Sequence, residues 1–266
     1  MNHSESVAQV VIEAVIAGSR MVYHADQSQG GHDFDLHYDD SRVAAVEVTT
    51  SVDVAGKETH AAIVSSRKGG PRIKAGLCKR PWRIWPGTGA NINRIRKDID
   101  RYLAVIESAG IERFFSPSDR HKHESIDNIY RDLQVYSGGV IEGEAPGYIL
   151  IALPIEGDFT GGSLVHDAVT LEAVKPDNRR KLAVAGTPER HLFVFVDVLN
   201  HRVWTSLVDS LPPREQVALP REITDVWAVG QAWSSDQYVV WRASAGSAWY
   251  SLGAVAAQLP KSIRSQ

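Results

Sequence analysis

Six carboxylates fall in one short stretch of the chain, and three of them are spaced to meet on one face. In "GGHDFDLHYDDSRVAAVEVTTSVD" (Gly30–Asp53), Asp33 and Asp35 precede Glu47, and Thr49 follows it by two positions. Carboxylates held close together repel, which costs stability unless a proton or a cation is shared between them. Mg2+ or Mn2+ suits such a set, because these ions take carboxylate oxygens and keep waters of their own. An ion held there polarises a phosphoryl oxygen, acidifies a bound water and aligns the two. The chemistry these residue types allow is therefore metal-assisted hydrolysis.

Whether the carboxylates meet depends on the elements beneath them. Phe34, Leu36 and Tyr38 alternate with Asp33, Asp35 and His37, the period of a strand with unlike faces. Asp39-Asp40-Ser41 is turn chemistry, since short oxygen-bearing side chains bond the local backbone. The run "RVAAVEVTTSV" then resumes as a β-branched strand, so the pair reads as a hairpin. Residues two apart share a strand face, which aligns Asp33 with Asp35 and Glu47 with Thr49. A three-residue loop at 40–42 sets Asp35 opposite Glu47, and a loop at 39–41 sets Asp33 there instead. Either brings one aspartate to roughly 5 Å from Glu47 at the Cβ level. A two-residue loop at 40–41 would send them to opposite faces.

Helices and strands follow one another along the rest of the chain. A first helix starts from Ser4 or Ser6 and runs to about Gly18. A short helix fits Glu58–Ser65 and a short strand fits Pro81–Trp85. From Asn91 or Asn93 to Gly110, Ile92, Ile95, Ile99, Leu103 and Ile106 recur at helical spacing, with Arg94, Lys97 and Arg101 on another face. Further helices are expected at Ser125–Val135 and at His166–Ala185, the latter restarting at Pro176, and buried strands at Gly147–Pro154 and His191–Val198. Helix followed by buried strand, twice over, points to an α/β fold whose mixed sheet carries helices on both faces. Beyond Asn200 come five of the seven tryptophans, with strands expected near Arg202–Leu207, Thr224–Val229 and Tyr238–Ala243. No repeat or linker interrupts the chain. It reads as a single domain over 1–266, with a core at about 5–200 and a Trp-rich C-terminal β extension at about 201–258.

Helix, hairpin and an Asp…Glu-x pattern in the second strand resemble the PD-(D/E)xK nuclease superfamily over roughly residues 5–110, continuing through the 147–198 strands. The resemblance implies a restriction-endonuclease-like core, a Mg2+ or Mn2+ ion held by Asp35 (or Asp33) and Glu47, and a nucleic-acid substrate. Thr49 falls where the family carries its lysine, and it has no positive charge to stabilise a phosphorane. Lys57, Lys68 and Lys74 are candidate replacements, whereas Lys181 and Asp197 read as ordinary surface and strand-end positions. Glu13 fits either a glutamate that some members add on the first helix or an ordinary polar position. No proline precedes Asp33 or Asp35.

Charge is unevenly spread. Residues 67–101 hold eleven Lys/Arg and two acids, a net +9, against −12 for the remainder. Such a segment attracts polyanions, which makes Arg83, Arg94, Lys97 and Arg101 candidate substrate-binding residues. Trp82 joins them, because Trp82 and Trp85 interleave with Lys79, Arg80 and Arg83 in the manner of a nucleotide-stacking surface, although two residues apart on one strand face they fit packing against the following helix equally well. His121–Glu124 ("HKHE") offers imidazoles and a carboxylate suited to zinc or nickel, and "GTGAN" offers backbone N–H groups to a phosphate; both also fit plain helix starts. The single cysteine, Cys78, excludes an intramolecular disulfide and points to a reducing, cytoplasmic setting. The apolar run "VAQVVIEAVIAG" is too short to span a bilayer, and no GxSxG elbow supports acyl transfer. Two functions follow: a metal-dependent nuclease-like protein, or a non-catalytic binding or immunity-type protein on the same fold. The second uses the Trp-rich C-terminal region as a partner surface and expects Glu47 to be exposed or paired with an arginine.

Overall fold

The apolar periodicities become helices and strands in the computed structural model, which describes residues 1–25, 30–65, 69–155, 161–233 and 236–259. The chain opens with α1 (His3–Val15), β1 (Arg20–Tyr23), β2 (Phe34–His37) and β3 (Val43–Ser51). It continues through α2 (Val54–Val64), β4 (Arg72–Lys74), β5 (Trp82–Pro86), α3 (Ile92–Ser108) and β6 (Arg113–Phe115). Next come α4 (Ser116–Asp119), α5 (Glu124–Asn128), a π-helical turn (Ile129–Leu133), β7 (Val135–Val140) and β8 (Tyr148–Ile151). The last part holds α6 (Ser163–Ala173), α7 (Pro176–Ala183), β9 (Glu189–Val196), α8 (His201–Asp209), β10 (Asp225–Gln231), β11 (Gln237–Ser244) and β12 (Tyr250–Ala256). Where the sequence reads as one domain, the chain divides into two compact units, Met1–Ser51 with Phe159–Gln266, and Val52–Asp158.

The first unit is built on a seven-stranded sheet in the order β1-β2-β3-β9-β10-β11-β12. The first three strands are antiparallel, β3, β9 and β10 run parallel, and β11 and β12 return antiparallel. On one face α1 lays Val7, Val11 and Ile12 against Phe34, Val46 and Phe193. On the other, α6, α7 and α8 bring Val169, Leu182 and Leu207 against Ala45, Leu192 and Val194. The sheet is thus mixed and covered on both faces, which is why "HLFVFV" in β9 is continuously apolar.

Two boundaries differ from the expected ones for local reasons. α1 is capped by Asn2 rather than Ser4 or Ser6: the Asn2 side chain accepts the Glu5 N–H, and the Glu5 carboxylate accepts the Asn2 N–H. That reciprocal pair satisfies two free donors at once. Residues Arg202–Leu207 form helix α8 and not a strand, because Val203, Trp204 and Leu207 share one helical face and bury it. The remaining C-terminal strands extend the main sheet through β10 beside β9.

The second unit holds a five-stranded sheet in the order β4-β8-β5-β7-β6. Helix α3 covers one face, with Ile92, Ile95, Ile99, Leu103 and Ile106 in a core with Trp82, Ile84, Phe114 and Ile149. Each such isoleucine contributes about 1.5–3 kcal/mol on burial. Asp100 of α3 accepts the N–H groups of Gly76, Leu77 and Cys78 and so fixes the chain leading into β5. Among the described residues of the chain, no helix is long and apolar enough to cross a membrane.

The β2–β3 turn decides the geometry of everything on that hairpin. Phe34 pairs with Val46 and Asp35 with Ala45, and Tyr38 N–H donates to Arg42 O at 3.0 Å. The loop is therefore 39–41, a three-residue turn that places its last residue in the left-handed region. Ser41 occupies it with φ 67°. A Cβ there is strained, so Ser41→Gly should raise stability by about 0.5–1 kcal/mol. The denaturant midpoint of the variant checks this, and a fall would show that the turn is held some other way.

Candidate functional site

With the loop at 39–41, the register continues to bring Asp33, not Asp35, level with Glu47. Asp33 and Glu47 are both buried, at 3% and 1% exposure. Asp33 Oδ2 accepts the Val48 N–H at 2.7 Å. Opposite them stands a residue that sequence reading passed over as surface: Lys181 of α7 donates from Nζ to Glu47 Oε1 at 2.7 Å. Pro176 restarts the helix and sets its phase, so that Lys181 faces β3 while Leu182 enters the core. Asp177, one turn earlier, lies 3.6 Å from the same ammonium.

The electrostatics are unbalanced. Burial and the charge of Asp33 push the Glu47 carboxyl up to about 8, against the hydrogen bond and charge of Lys181. Burial raises Asp33 as well, although the Val48 N–H and Lys181 oppose it. For Lys181, burial works against the charge, but Glu47, Asp33 and Asp177 outweigh it and hold the ammonium above its usual range. Glu47 Oε2 is fully buried and has no hydrogen-bond donor. Two buried carboxylates share one ammonium and the proton that Glu47 keeps up to about 8, so a bound cation would take the place of that proton.

The other residues of the hairpin have different partners. Asp35, the first choice for a metal ligand beside Glu47, pairs with Ala45 and is engaged by His24 and His32 instead. Burial pushes the Asp35 carboxyl up, and the two imidazoles outweigh it, leaving it below the usual carboxylate range. Thr49 shares the face of Glu47 but donates to Glu172 Oε2 at 3.0 Å, and Glu172 also holds Lys175. Thr49 therefore ties β3 to α6. Glu13 accepts the Met21 N–H, while the charge felt by Asp33 from α1 is that of Glu5. Lys57 and Lys74 belong to the second unit, and Lys68 lies outside the described residues.

In the second unit the basic residues split into groups. Arg96 is structural, donating to Ala62 O, Ile63 O and Gly70 O, and Arg80 pairs with Glu107 and Glu112. Arg94, Lys97 and Arg101 are exposed on α3, away from its apolar face. Trp82 is not a contact residue: it is 0% exposed and packs against Phe114 in the core. The sheet face that α3 leaves open carries a different set. Cross-strand pairs put Arg72, Arg83 and Arg113 in line through Leu150 and Gly139, with Lys74 beside Tyr148 and both Trp85 and Phe115 beside Ser137. Arg72 lies over the Tyr148 ring at 4.9 Å, and a cavity of about 440 Å³ beside Trp85, Arg113 and Phe115 is lined also by Glu112, Asp119 and Glu142. Among the described residues, none of these four cations has an acidic partner within ion-pair distance.

Two further motifs resolve into local structure. His123 caps α5, its Nδ1 accepting the Ser125 N–H, so "HKHE" is a helix start. In the C-terminal region Trp227, Trp241 and Trp249 are buried and Trp233 alone of the four is exposed, edge-on to Trp204.

Comparisons with protein-family models, with curated proteins and with solved structures find no match to this chain.

The raised Glu47 pKa has a measurable consequence. The folded state keeps the Glu47 proton up to about 8, while the unfolded chain releases it near 4.5. This stabilisation is full below the unfolded value and disappears as pH rises through about 8. In chelator, wild-type stability should therefore fall between pH 5 and pH 8.5, and Glu47→Gln should flatten that slope in denaturant titrations.

Proposed function

We propose that the chain is a metal-dependent, PD-(D/E)xK-like nuclease acting on the phosphodiester backbone of nucleic acid, with its lysine supplied by α7. One observation carries the reading: Lys181 Nζ sits 2.7 Å from Glu47 Oε1 in a buried group with Asp33. The donor set fits a divalent cation, because two buried carboxylates stand side by side, Glu47 Oε2 lacks a donor among the described residues, and a cation there would displace the Glu47 proton. Asp33 and Glu47 are the residues that would hold Mg2+ or Mn2+. Such an ion, when bound, supplies Lewis acidity and a water of lowered pKa.

The chain's own residues supply the rest. Glu47 and Asp33 are fixed by their neighbours, so little reorganisation is needed when charge develops nearby. Lys181 brings a positive charge that Thr49 lacks, close enough to stabilise negative charge building on a phosphoryl oxygen. Thr49, bound to Glu172, is left with a structural part. The non-catalytic alternative expects Glu47 exposed or matched by an arginine, and the buried lysine pair counts against it. On the substrate side, the open basic and aromatic face of the second unit supports nucleic acid as the partner: cations attract the backbone and Trp85 and Phe115 offer stacking surfaces.

Cleavage of labelled single-stranded and duplex DNA and RNA with Mg2+ or Mn2+ tests this. Lys181→Ala and Glu47→Gln should each lower kcat/KM by about 100-fold or more, whereas Thr49→Val stays within a few-fold. Activity undiminished in Lys181→Ala would sink the assignment. Replacing both Arg83 by Glu and Trp85 by Ala should weaken binding by about 1–3 kcal/mol and reduce its salt dependence, read by fluorescence anisotropy.

A further inference from the structure

The geometry points to a metal site in the first unit, formed by His24, His32 and Asp35 and suited to Zn2+ or a transition ion of its class. The residues come from the two strand ends that flank the β1–β2 connection. Val22 pairs with Asp35 across these strands, so His24 leaves β1 as His32 approaches β2. Both rings arrive over one carboxylate. His32 Nε2 lies 2.7 Å from Asp35 Oδ1, and His24 Nε2 lies 3.0 Å from Asp35 Oδ2. The rings stand edge to face, with centroids 5.0 Å apart and planes at 75°, so each turns a nitrogen inward without stacking on the other.

Ligand spacing and ligand type select the ion. Donors bound about 2.0–2.1 Å from zinc, at right to tetrahedral angles, lie about 3 Å from one another. The two imidazoles meet different oxygens of Asp35, at 2.7 and 3.0 Å, and one donor atom from each of the three residues lies within 4.8 Å of the others, a spread that side-chain rotation closes. Two imidazoles and one carboxylate suit Zn2+, whereas Mg2+ and Ca2+ prefer oxygen throughout. His24 Nε2 is buried, with Asp35 Oδ2 at 3.0 Å facing it. Side-chain exposures of 40% for His24 and 28% for Asp35 leave a side open to solvent or to a substrate oxygen.

This site is separate from the Asp33–Glu47–Lys181 group and does not rest on the nuclease reading. Asp35 is two residues from Asp33 on the same strand face, roughly 7 Å along the strand. An ion there clips residue 24 to residue 32, closing the connection between β1 and β2 as a cross-link does. It also adds positive charge beside the buried acid pair.

Titration of Zn2+ into the metal-free full-length protein, by calorimetry and with Co2+ as an optical probe, tests the site. One zinc should bind per chain and raise Tm. Loss of a second-shell partner typically weakens metal binding 10–100-fold, so losing a ligand should cost about 100-fold or more. His32→Ala and Asp35→Asn should show that loss and abolish the Tm shift, while Glu47→Gln keeps the zinc. Should Asp35→Asn fail to fold, His24→Gln, at a more exposed position, decides. Equal zinc affinity in the histidine variants, or loss of zinc in Glu47→Gln alone, would overturn the proposal. The second outcome would assign the ion to the acid pair. Mg2+-supported cleavage reports on the nuclease reading independently of all these outcomes.

Discussion

The pairing register of β2 and β3 is the constraint on which the first unit's chemistry depends. Side chains alternate across a strand, so a slip of one residue exchanges the two faces of the hairpin. The three-residue turn ending at Ser41 sets Phe34 against Val46, and that choice sends Phe34, Leu36 and Val46 to the α1 face. Asp33, Asp35, Ala45, Glu47 and Thr49 are left on the face covered by α6 and α7. The strained φ of Ser41 is a small local cost for a register that buries one face and assembles a polar group on the other.

Burial then gives the polar group its character. On an exposed hairpin, Asp33 and Glu47 would be screened by water and would hold ordinary pKa values. Beneath α6 and α7 they lose that screening, and Lys181 together with a proton held on Glu47 answers the two carboxyl groups. The same cover leaves Asp35 at the margin of the sheet, where two histidines reach it from the β1–β2 connection. One strand face thus carries two groups of different chemistry, an oxygen-rich one deep in the fold and an imidazole-rich one nearer its surface.

The second unit shows the same division of faces in another form. Helix α3 covers one side of its sheet and draws Trp82, Ile84 and Ile149 inward. Alternation sends Arg72, Arg83 and Arg113, with Trp85 and Phe115, to the side opposite α3. The basic segment is therefore not one surface. Arg96 closes the end of α2, Arg80 is neutralised by glutamates, and the cations of α3 face away from those of the sheet.

Much of this was legible in the residues themselves. Helical spacing identified α3, continuous apolar runs identified β8 and β9, Pro176 marked the start of α7, and turn chemistry marked the hairpin. Arg202–Leu207 misled because aromatic and β-branched content suggests a strand, whereas the spacing of Val203, Trp204 and Leu207 follows a helix. By itself the sequence determined that an aspartate and Glu47 share a strand face if the loop has three residues, and that Thr49 brings no charge. Only the tertiary structure decided which aspartate it is, and that Lys181 pairs with Glu47 from 134 positions away in the chain. The physical reason is range. Local patterns record how a backbone alternates, whereas a charge pair across a sheet–helix interface is set by packing that no local pattern encodes.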